Sequence, residues 1–467
     1  METFEKESRK RLEIALSKAD TTRYINVGHN TISSVGEYFI KCFPARRAVI
    51  VADQNTFQAA GQAAQKVMKA QDNQTLEPFI FNESDFHAEM QYVEELTAYL
   101  KTVDAIPIAV GSGTLNDLTK LAAHRCGRPY MVVVTAASVD GYTAFGASIT
   151  AAGFKQTFQC SAPLCVIADL SVIAEAPPEM NAWGYADLIA KIPAGADWIL
   201  ADALGIEAIR QDAWALVQHP LRDLTADPGG VKRGEGKALC YLVEGLLMAG
   251  LAMQAIGSSR PASGAEHQFS HLWDIEHHTH HGIAPSHGFK VAIGSLSSLA
   301  LYEKILDIPI EDQKWELITI KERWLTFAEI EANIVSHFND PDVAKQVIDQ
   351  AQGKYVSPDV LHDRMRQLSD LWPELKPQII KQILPFSELR DKLVEINGPV
   401  DPQDIGIEIS RLRHSFRLAQ YIRTRYTILD VALEGGWLES SVHQIFSNNQ
   451  YWAASQEEIT LSLEGVE

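Results

Sequence analysis

"DAIPIAVGSGTLNDLTKLAAHR", residues 104–125, decides the fold. An apolar run meets a glycine turn and passes into a helical pattern, the order of a strand, a tight turn and a helix. The same alternation extends on both sides. RRAVIVADQNTF (46–57) is a buried strand ending in a turn, because AVIVA is apolar on consecutive positions and suits a parallel sheet covered on both faces. A helical pattern over about 57–70, EPFIF as a short strand, EMQYVEELTAYLKTV as a helix and YMVVVTAAS as another strand complete the picture. Such alternation predicts an α/β domain with a mostly parallel sheet, whose ligand crevice lies at the carboxyl ends of the strands.

After about residue 175 the pattern changes to long helical stretches. These are WGYADLIAKIPAGADWILADAL, ALCYLVEGLLMAGLAMQAIG, VAIGSLSSLALYEKIL, ERWLTFAEIEANIVSHF and ISRLRHSFRLAQYIRTRYTILDVAL. The expected organisation is therefore an α/β domain over 1–175 and a helical domain over 176–467. LVQHPLRDLTADPGGVKRGEG, about 217–236, reads as a loop or linker. No repeat or low-complexity segment points to a solenoid.

Bulk properties narrow the function. The 467 residues carry 41 Lys and Arg against 60 Asp and Glu, a formal charge of −19. Generic attraction to nucleic acid or an anionic membrane is not expected. No apolar run approaches the length of a membrane span, and the charged start METFEKESRKRLEIALSKAD lacks the apolar centre of a secretory signal. The five cysteines, Cys42, Cys126, Cys160, Cys165 and Cys240, are scattered and odd in number. They fit reduced thiols in a cytoplasmic protein better than a disulfide framework.

Three stretches carry chemistry. In GSGTLNDLTK (111–120), Gly111 and Gly113 let backbone approach a phosphate, and the helix that follows aims amide N–H groups at an anion. The stretch matches neither GxGxxG nor the Walker pattern, and an ordinary strand-to-helix turn explains it as well. Asp53, at the end of a strand, can accept hydrogen bonds from a ribose diol and repel a 2′-phosphate, or it can simply cap the next turn. In TAASVDGYTAFGAS (135–148), Thr135 and Ser138 can contact cofactor groups and Asp140 a substrate hydroxyl, with an N-capping loop as the alternative.

The third stretch is SGAEHQFSHLWDIEHHTHHGIAPSHG (263–288), which holds seven of the fifteen histidines. His267 and His271, four apart, share one face of a helix. His267, the more distant His287 and Asp187 of GYADLIAK form a set of two imidazoles and one carboxylate that leaves room at a divalent cation for substrate oxygen. Helix caps and core hydrogen bonds would use the same residues.

GSGTLNDLTK, TAASVDGY, GYADLIAK, SGAEHQFSH and PSHGFKVAIG, with the later INGPVDPQDIGI and RTRYTILDVAL, occur in the order seen in sn-glycerol-1-phosphate dehydrogenases. Over roughly residues 20–435 the chain resembles that family, within the group related to iron-containing alcohol dehydrogenases and dehydroquinate synthase. The resemblance implies a Rossmann-like nucleotide-binding domain followed by a helical metal-binding domain. It implies that Asp53, Gly111, Ser112, Gly113, Thr114, Leu115, Thr135 and Ser138 bind the nicotinamide cofactor, NAD(H) by preference and NADP(H) as the alternative. It gives Asp187, His267 and His287 the metal, zinc first with nickel or iron as alternatives. Asp140, Asp187 and His271 would contact the substrate. The implied reaction reduces dihydroxyacetone phosphate to sn-glycerol 1-phosphate in a cytoplasmic enzyme, with a homodimer as the oligomer to test. Ala144 stands where the family carries a hydroxyl residue that contacts the cofactor, and Thr143 is displaced by one. The HHTHH run also departs from the family pattern. Lys155, Lys191 and Lys290 are candidates for the substrate phosphate. A related alcohol or polyol dehydrogenase is the main alternative; a dehydroquinate-synthase-like lyase and a nucleotide sensor are weaker ones.

Overall fold

The computed structural model describes residues 3–71, 74–83, 86–151, 154–447 and 450–452. They form two compact units: Met1–Ile189, Arg210–Ala262 and Glu395–Gly398 in the first, and Ala190–Ile209, Ser263–Val394 and Pro399–Glu467 in the second.

The first unit contains β1 (Tyr24–Gly28), β2 (Ala48–Asp53), β3 (Phe79–Phe81), β4 (Ile106–Gly111), β5 (Met131–Val134), β6 (Ala147–Ala151), β7 (Phe154–Phe158) and β8 (Cys165–Asp169). Six of these make one sheet in the order β1-β8-β5-β4-β2-β3, with every neighbouring pair parallel. The apolar run of β2 is buried on both faces, as its unbroken hydrophobicity requires. Ile50 and Ala52 pack with Val35, Phe39, Ala64 and Met68, while Val49 and Val51 pack with Val93, Leu96, Leu118 and Leu121. Helices thus cover both sides of a Rossmann-like parallel sheet. The chain leaves β2 for β3 on one side and then crosses to β4 on the other. The strand order reverses there, so the crevice of this sheet opens at the carboxyl ends of β2 and β4, where Asp53 and Gly111 stand. The antiparallel hairpin β6–β7 was not legible in the sequence.

The expected loop at about 217–236 is corrected. Residues Gln211–Leu224 are a helix with Pro220 inside it, and Pro228–Lys232 add a short turn of helix. Pro220 removes one backbone donor. The stripe Ala213, Leu216, Val217, Leu221 and Leu224 is nevertheless buried, and that packing carries the helix through. The helix Gly236–Ile256 is long and apolar enough to cross a membrane, but 83% of its apolar window is buried inside the protein. It is the core helix of this unit.

The second unit is helical. Three of the long helical patterns are interrupted in the structure; ERWLTFAEIEANIVSHF breaks over 324–326 between the helices Leu317–Arg323 and Phe327–His337. WGYADLIAKIPAGADWILADAL divides at Ala190 between Pro178–Ile189 and Lys191–Ala203. Pro193 has no N–H to donate to the Ile189 carbonyl, which explains the division. The pattern over 409–433 is a helix Ile409–Leu418, a 3-10 turn Ala419–Ile422, extended residues and a second helix Ile428–Glu434. The helices Ala265–Ile275 and His287–Leu306 pack together closely. Gly294 allows the approach, since a Cβ there would lie 2.3 Å from the Glu266 carbonyl oxygen.

Candidate metal and cofactor site

Asp53 is the N-cap of the turn that follows β2. Its Oδ1 accepts from the Thr56 amide at 2.8 Å, and the Asp53 amide donates in return to the Thr56 hydroxyl at 3.1 Å in a capping box. The capping alternative is therefore realised. It uses Oδ1, so a diol contact at Oδ2 remains compatible with it. Gly111, Ser112, Gly113, Thr114 and Leu115 join β4 to the helix Gly113–Arg125. Gly111 must be glycine, because a Cβ there would overlap the Leu115 side chain at 2.3 Å. Gly113 similarly makes room for Val139. The Ser112 hydroxyl makes no cap bond to its own helix. Thr135 follows β5, and its amide donates to the Gly111 carbonyl at 3.2 Å, which sets the loop 135–148 beside the glycine turn.

The helix that begins at the glycine turn also holds that loop. The Lys120 ammonium, 1% exposed, donates to the carbonyls of Gly141 (2.9 Å), Ala144 (3.1 Å) and Gly146 (2.9 Å) and pairs with Asp117 at 3.3 Å. Asn116 donates to the Gly141 carbonyl at 3.1 Å, and Asp117 accepts from the Ser148 amide at 3.0 Å. Ser138 meets the Tyr142 hydroxyl at 3.1 Å. Thr143 is buried and spends its hydroxyl on the Leu247 carbonyl at 2.7 Å, so it does not replace the hydroxyl missing at Ala144. Gly184 has Ala137 against it: a Cβ would sit 1.9 Å from the Ala137 carbonyl oxygen. That contact seats the helix Pro178–Ile189 on the loop. One turn later in that helix, the buried Asp187 accepts from the Asp140 amide at 3.0 Å through Oδ2. Asn116, Asp117, Lys120 and Gly184 were quoted in the motifs but not singled out, because spacing alone gives no sign of what they hold.

In the second unit His267 and His271 lie on the helix Ala265–Ile275, and His287 opens the helix His287–Leu306 behind its N-cap Ser286. The ring centroids are 5.2 Å apart for His267 and His287, 6.2 Å for His267 and His271, and 6.1 Å for His271 and His287. The Nδ1 of His267 bonds Glu266 Oε1 at 2.8 Å, and the Nδ1 of His287 is 3.4 Å from the Ser270 hydroxyl. An imidazole held at Nδ1 acts as a ligand through Nε2. His271 faces Asp274, 3.7 Å from its Nδ1, and Asp274 is in turn ion-paired with Lys290. Burial pushes the His271 pKa down to about 3, against the upward pull of Asp274 and with the Arg423 charge adding to the depression. The imidazole is therefore neutral at neutral pH.

Within the second unit two imidazoles, His267 and His287, thus stand together on neighbouring helices as candidate ligands for a divalent cation. The donor set also fits. Each imidazole is oriented through Nδ1, and one carboxylate oxygen of Asp187 accepts from a backbone amide.

The HHTHH run has a different role. His278 is buried, and its Nε2 donates to the Ile405 carbonyl at 2.6 Å while Arg411 donates to its Nδ1 at 2.7 Å. Burial lowers its pKa. His277 and His281 take left-handed backbone conformations, and none of the run belongs to the metal group. Of the candidate lysines, Lys290 is buried and held by Asp274, and Lys191 is buried in the helix Lys191–Ala203. The Lys155 side chain lies outside the described residues.

Comparison with known proteins places this geometry. The iron-containing alcohol dehydrogenase pattern matches residues 26–177. The glycerol-1-phosphate dehydrogenase [NAD(P)+] of Halalkalibacterium halodurans is 33% identical over 286 residues, covering 60% of this chain and 70% of that one. Its counterpart in Geobacillus thermodenitrificans is 28% identical over 411 residues, covering 87% and 91%. A probable glycerol dehydrogenase from Sinorhizobium meliloti shares the fold, with a TM-score of 0.56 at 15% identity, covering 91% of this chain and 99% of that structure. The glycine turn, the loop 135–148 and the histidine pair thus sit in a chain that aligns with one enzyme family over most of that family's length, and this chain belongs to the glycerol-1-phosphate dehydrogenases, within the iron-containing alcohol dehydrogenase group.

Proposed function

We propose that this protein catalyses NAD(P)H + H⁺ + dihydroxyacetone phosphate → sn-glycerol 1-phosphate + NAD(P)⁺, reversibly, with a divalent metal. The observation that carries this reading is the His267 and His287 pair, ring centroids 5.2 Å apart, in a chain of this family, with Asp187 as the proposed third ligand. When bound, the cation supplies Lewis acidity at the C2 carbonyl and the reduced nicotinamide supplies hydride.

The chain's own residues do the rest. Asp53 and the turn Gly111–Leu115 stand at the switch point of the sheet, where they would bind the ribose and pyrophosphate. Thr135 and Ser138, on the loop pinned to that turn, would orient the nicotinamide end. The Asp53 carboxylate disfavours a 2′-phosphate, so NADH is the expected partner. Asp140 would hold a substrate hydroxyl, and its amide fixes Asp187. His271, turned by Asp274, would contact the substrate oxygen without serving as a metal ligand. Zinc is the first choice for two imidazoles and a carboxylate, with nickel and iron compatible. In this reading residues 1–175 carry the cofactor groups and 176–467 most of the metal and substrate groups. The five free cysteines fit a reducing cytoplasm.

The test is a panel of phosphorylated and unphosphorylated ketones with NADH and NADPH, on protein loaded with zinc, nickel or iron. Dihydroxyacetone phosphate should exceed dihydroxyacetone by about a hundredfold or more in kcat/KM, since a site built for a phosphate discriminates strongly against its absence. Equal turnover of the two would replace this reading with that of a polyol dehydrogenase. No turnover of any ketone would remove the enzyme reading.

A further inference from the structure

We propose that Glu266 is a positioning residue that fixes His267 as a metal ligand and sets the affinity of the site for its cation. This rests on the metal reading of Asp187, His267 and His287.

Glu266 is fully buried in the first turn of the helix Ala265–Ile275. Its Oε1 accepts two bonds, from the Gly264 amide at 2.6 Å and from His267 Nδ1 at 2.8 Å. Its Oε2 has no partner among the described residues, and no Lys or Arg pairs with it there. The neighbouring buried carboxylate shows what a purely structural group looks like. Asp197 accepts from the Ala265 amide at 2.7 Å through Oδ2, and from the Tyr302 hydroxyl at 2.6 Å and the Ile428 amide at 2.8 Å through Oδ1. Hydrogen bonds reach both of its oxygens.

Glu266 lacks that compensation, yet the fold makes room for it. A Cβ on Gly264 would lie 2.9 Å from Glu266 Oε2 and 2.4 Å from Asp197 Oδ2, so only glycine fits beside the pair. A buried carboxylate with one oxygen unsatisfied gains most from a counter-charge, and its side-chain hydrogen-bond partner among the described residues is the His267 ring. With Nδ1–H donated to Glu266, the lone pair of His267 is at Nε2, and the adjacent negative charge makes that nitrogen a stronger donor to a cation. The counter-charge is then the bound metal, reached through the imidazole. Helix capping alone would not require the charge: the amide of Gly264 is served equally well by a neutral acceptor.

E266Q separates the two roles, because it keeps an oxygen for both bonds and removes only the charge. Zinc dissociation constants, measured on purified full-length protein by competition with a chromophoric chelator, should rise about tenfold to a hundredfold in E266Q and further in E266A. The metal-free thermal midpoint of E266Q should stay at or above that of the wild type. H267A is the control for the underlying reading and should lose zinc altogether. Wild-type zinc affinity in E266Q, with zinc lost from H267A, overturns the role of Glu266 and leaves the metal site standing. Zinc retained by H267A overturns the metal reading and the Glu266 proposal with it. Should E266Q not fold, E266D, which keeps the charge but shortens the reach to Nδ1, should still bind zinc more weakly than wild type at unchanged helix content. Wild-type affinity in E266D would then overturn the proposal.

Discussion

The imidazole rings of His267 and His287 stand 5.2 Å apart, centroid to centroid, on two different helices. Their closeness is made by Gly294, which lets the second helix settle against the Glu266 backbone. If both rings hold the cation, H267A and H287A should each lose bound metal by elemental analysis while keeping the wild-type circular dichroism spectrum. Turnover should fall by ~10³-fold or more, the loss of several kcal/mol of carbonyl polarisation. A folded variant with full metal occupancy removes that histidine from the ligand set.

His271 shares the helix with His267 but faces Asp274. H271A should keep its metal and its NADH affinity, and kcat/KM for dihydroxyacetone phosphate should drop about a hundredfold. A rise in KM with kcat intact would mark uniform substrate binding; a lower kcat would mark alignment in the transition state. Native kinetics would place His271 outside the site.

Asp53 combines a cap with a charge, and the two are separable. D53N keeps an acceptor for the Thr56 amide, so its melting temperature should match the wild type within error. The preference for NADH over NADPH should shrink by about fivefold or more, the ~1 kcal/mol worth of one nearby like charge in a solvated setting. Isothermal titration of both cofactors checks this. An unchanged ratio would show that neighbouring groups, not Asp53, choose the cofactor.

Lys120 ties the glycine-turn helix to three loop carbonyls and Asp117. K120M leaves Asp117 without its ion-pair partner and should cost about 3–5 kcal/mol in urea unfolding. Because that loop carries Thr135, Ser138 and Asp140, NADH should also bind more weakly to the fraction that folds. Wild-type stability in K120M would contradict the clamp.

The thiols give a pH-dependent check. Burial pushes Cys160 and Cys240 up to about 11 and Cys165 well above its usual value, whereas contact with Cys165 lowers Cys42. Alkylation requires the thiolate, which at pH 8 is about one part in a thousand for a group titrating at 11. Mass spectrometry after brief iodoacetamide treatment at pH 8 should find Cys42 modified well before Cys160 or Cys240. Labelling of those two should rise as pH approaches 11. Early labelling of Cys160 would show that its burial is not kept in solution.

The sequence by itself determined the strand–turn–helix alternation of the first part of the chain and the chemistry of the candidate residues. The unbroken apolar run AVIVA suits a strand buried on both faces, and the glycine turn at 111–113 suits the join of a strand to a helix at close quarters. His267 and His271 are bound to one helix face by their spacing. Tertiary structure decided the rest, because it depends on contacts between distant parts of the chain. The helix through Pro220 exists because an apolar stripe is buried, which outweighs the missing donor. The hydroxyl of Thr143 turns inward because the Leu247 carbonyl is there to receive it. Asp187 Oδ2 is held by an amide 47 residues away, and Glu266 becomes notable only because its second oxygen lacks a partner among the described residues. Spacing fixes direction along a helix or strand; whether a buried polar group is satisfied is settled only when the chain has closed around it.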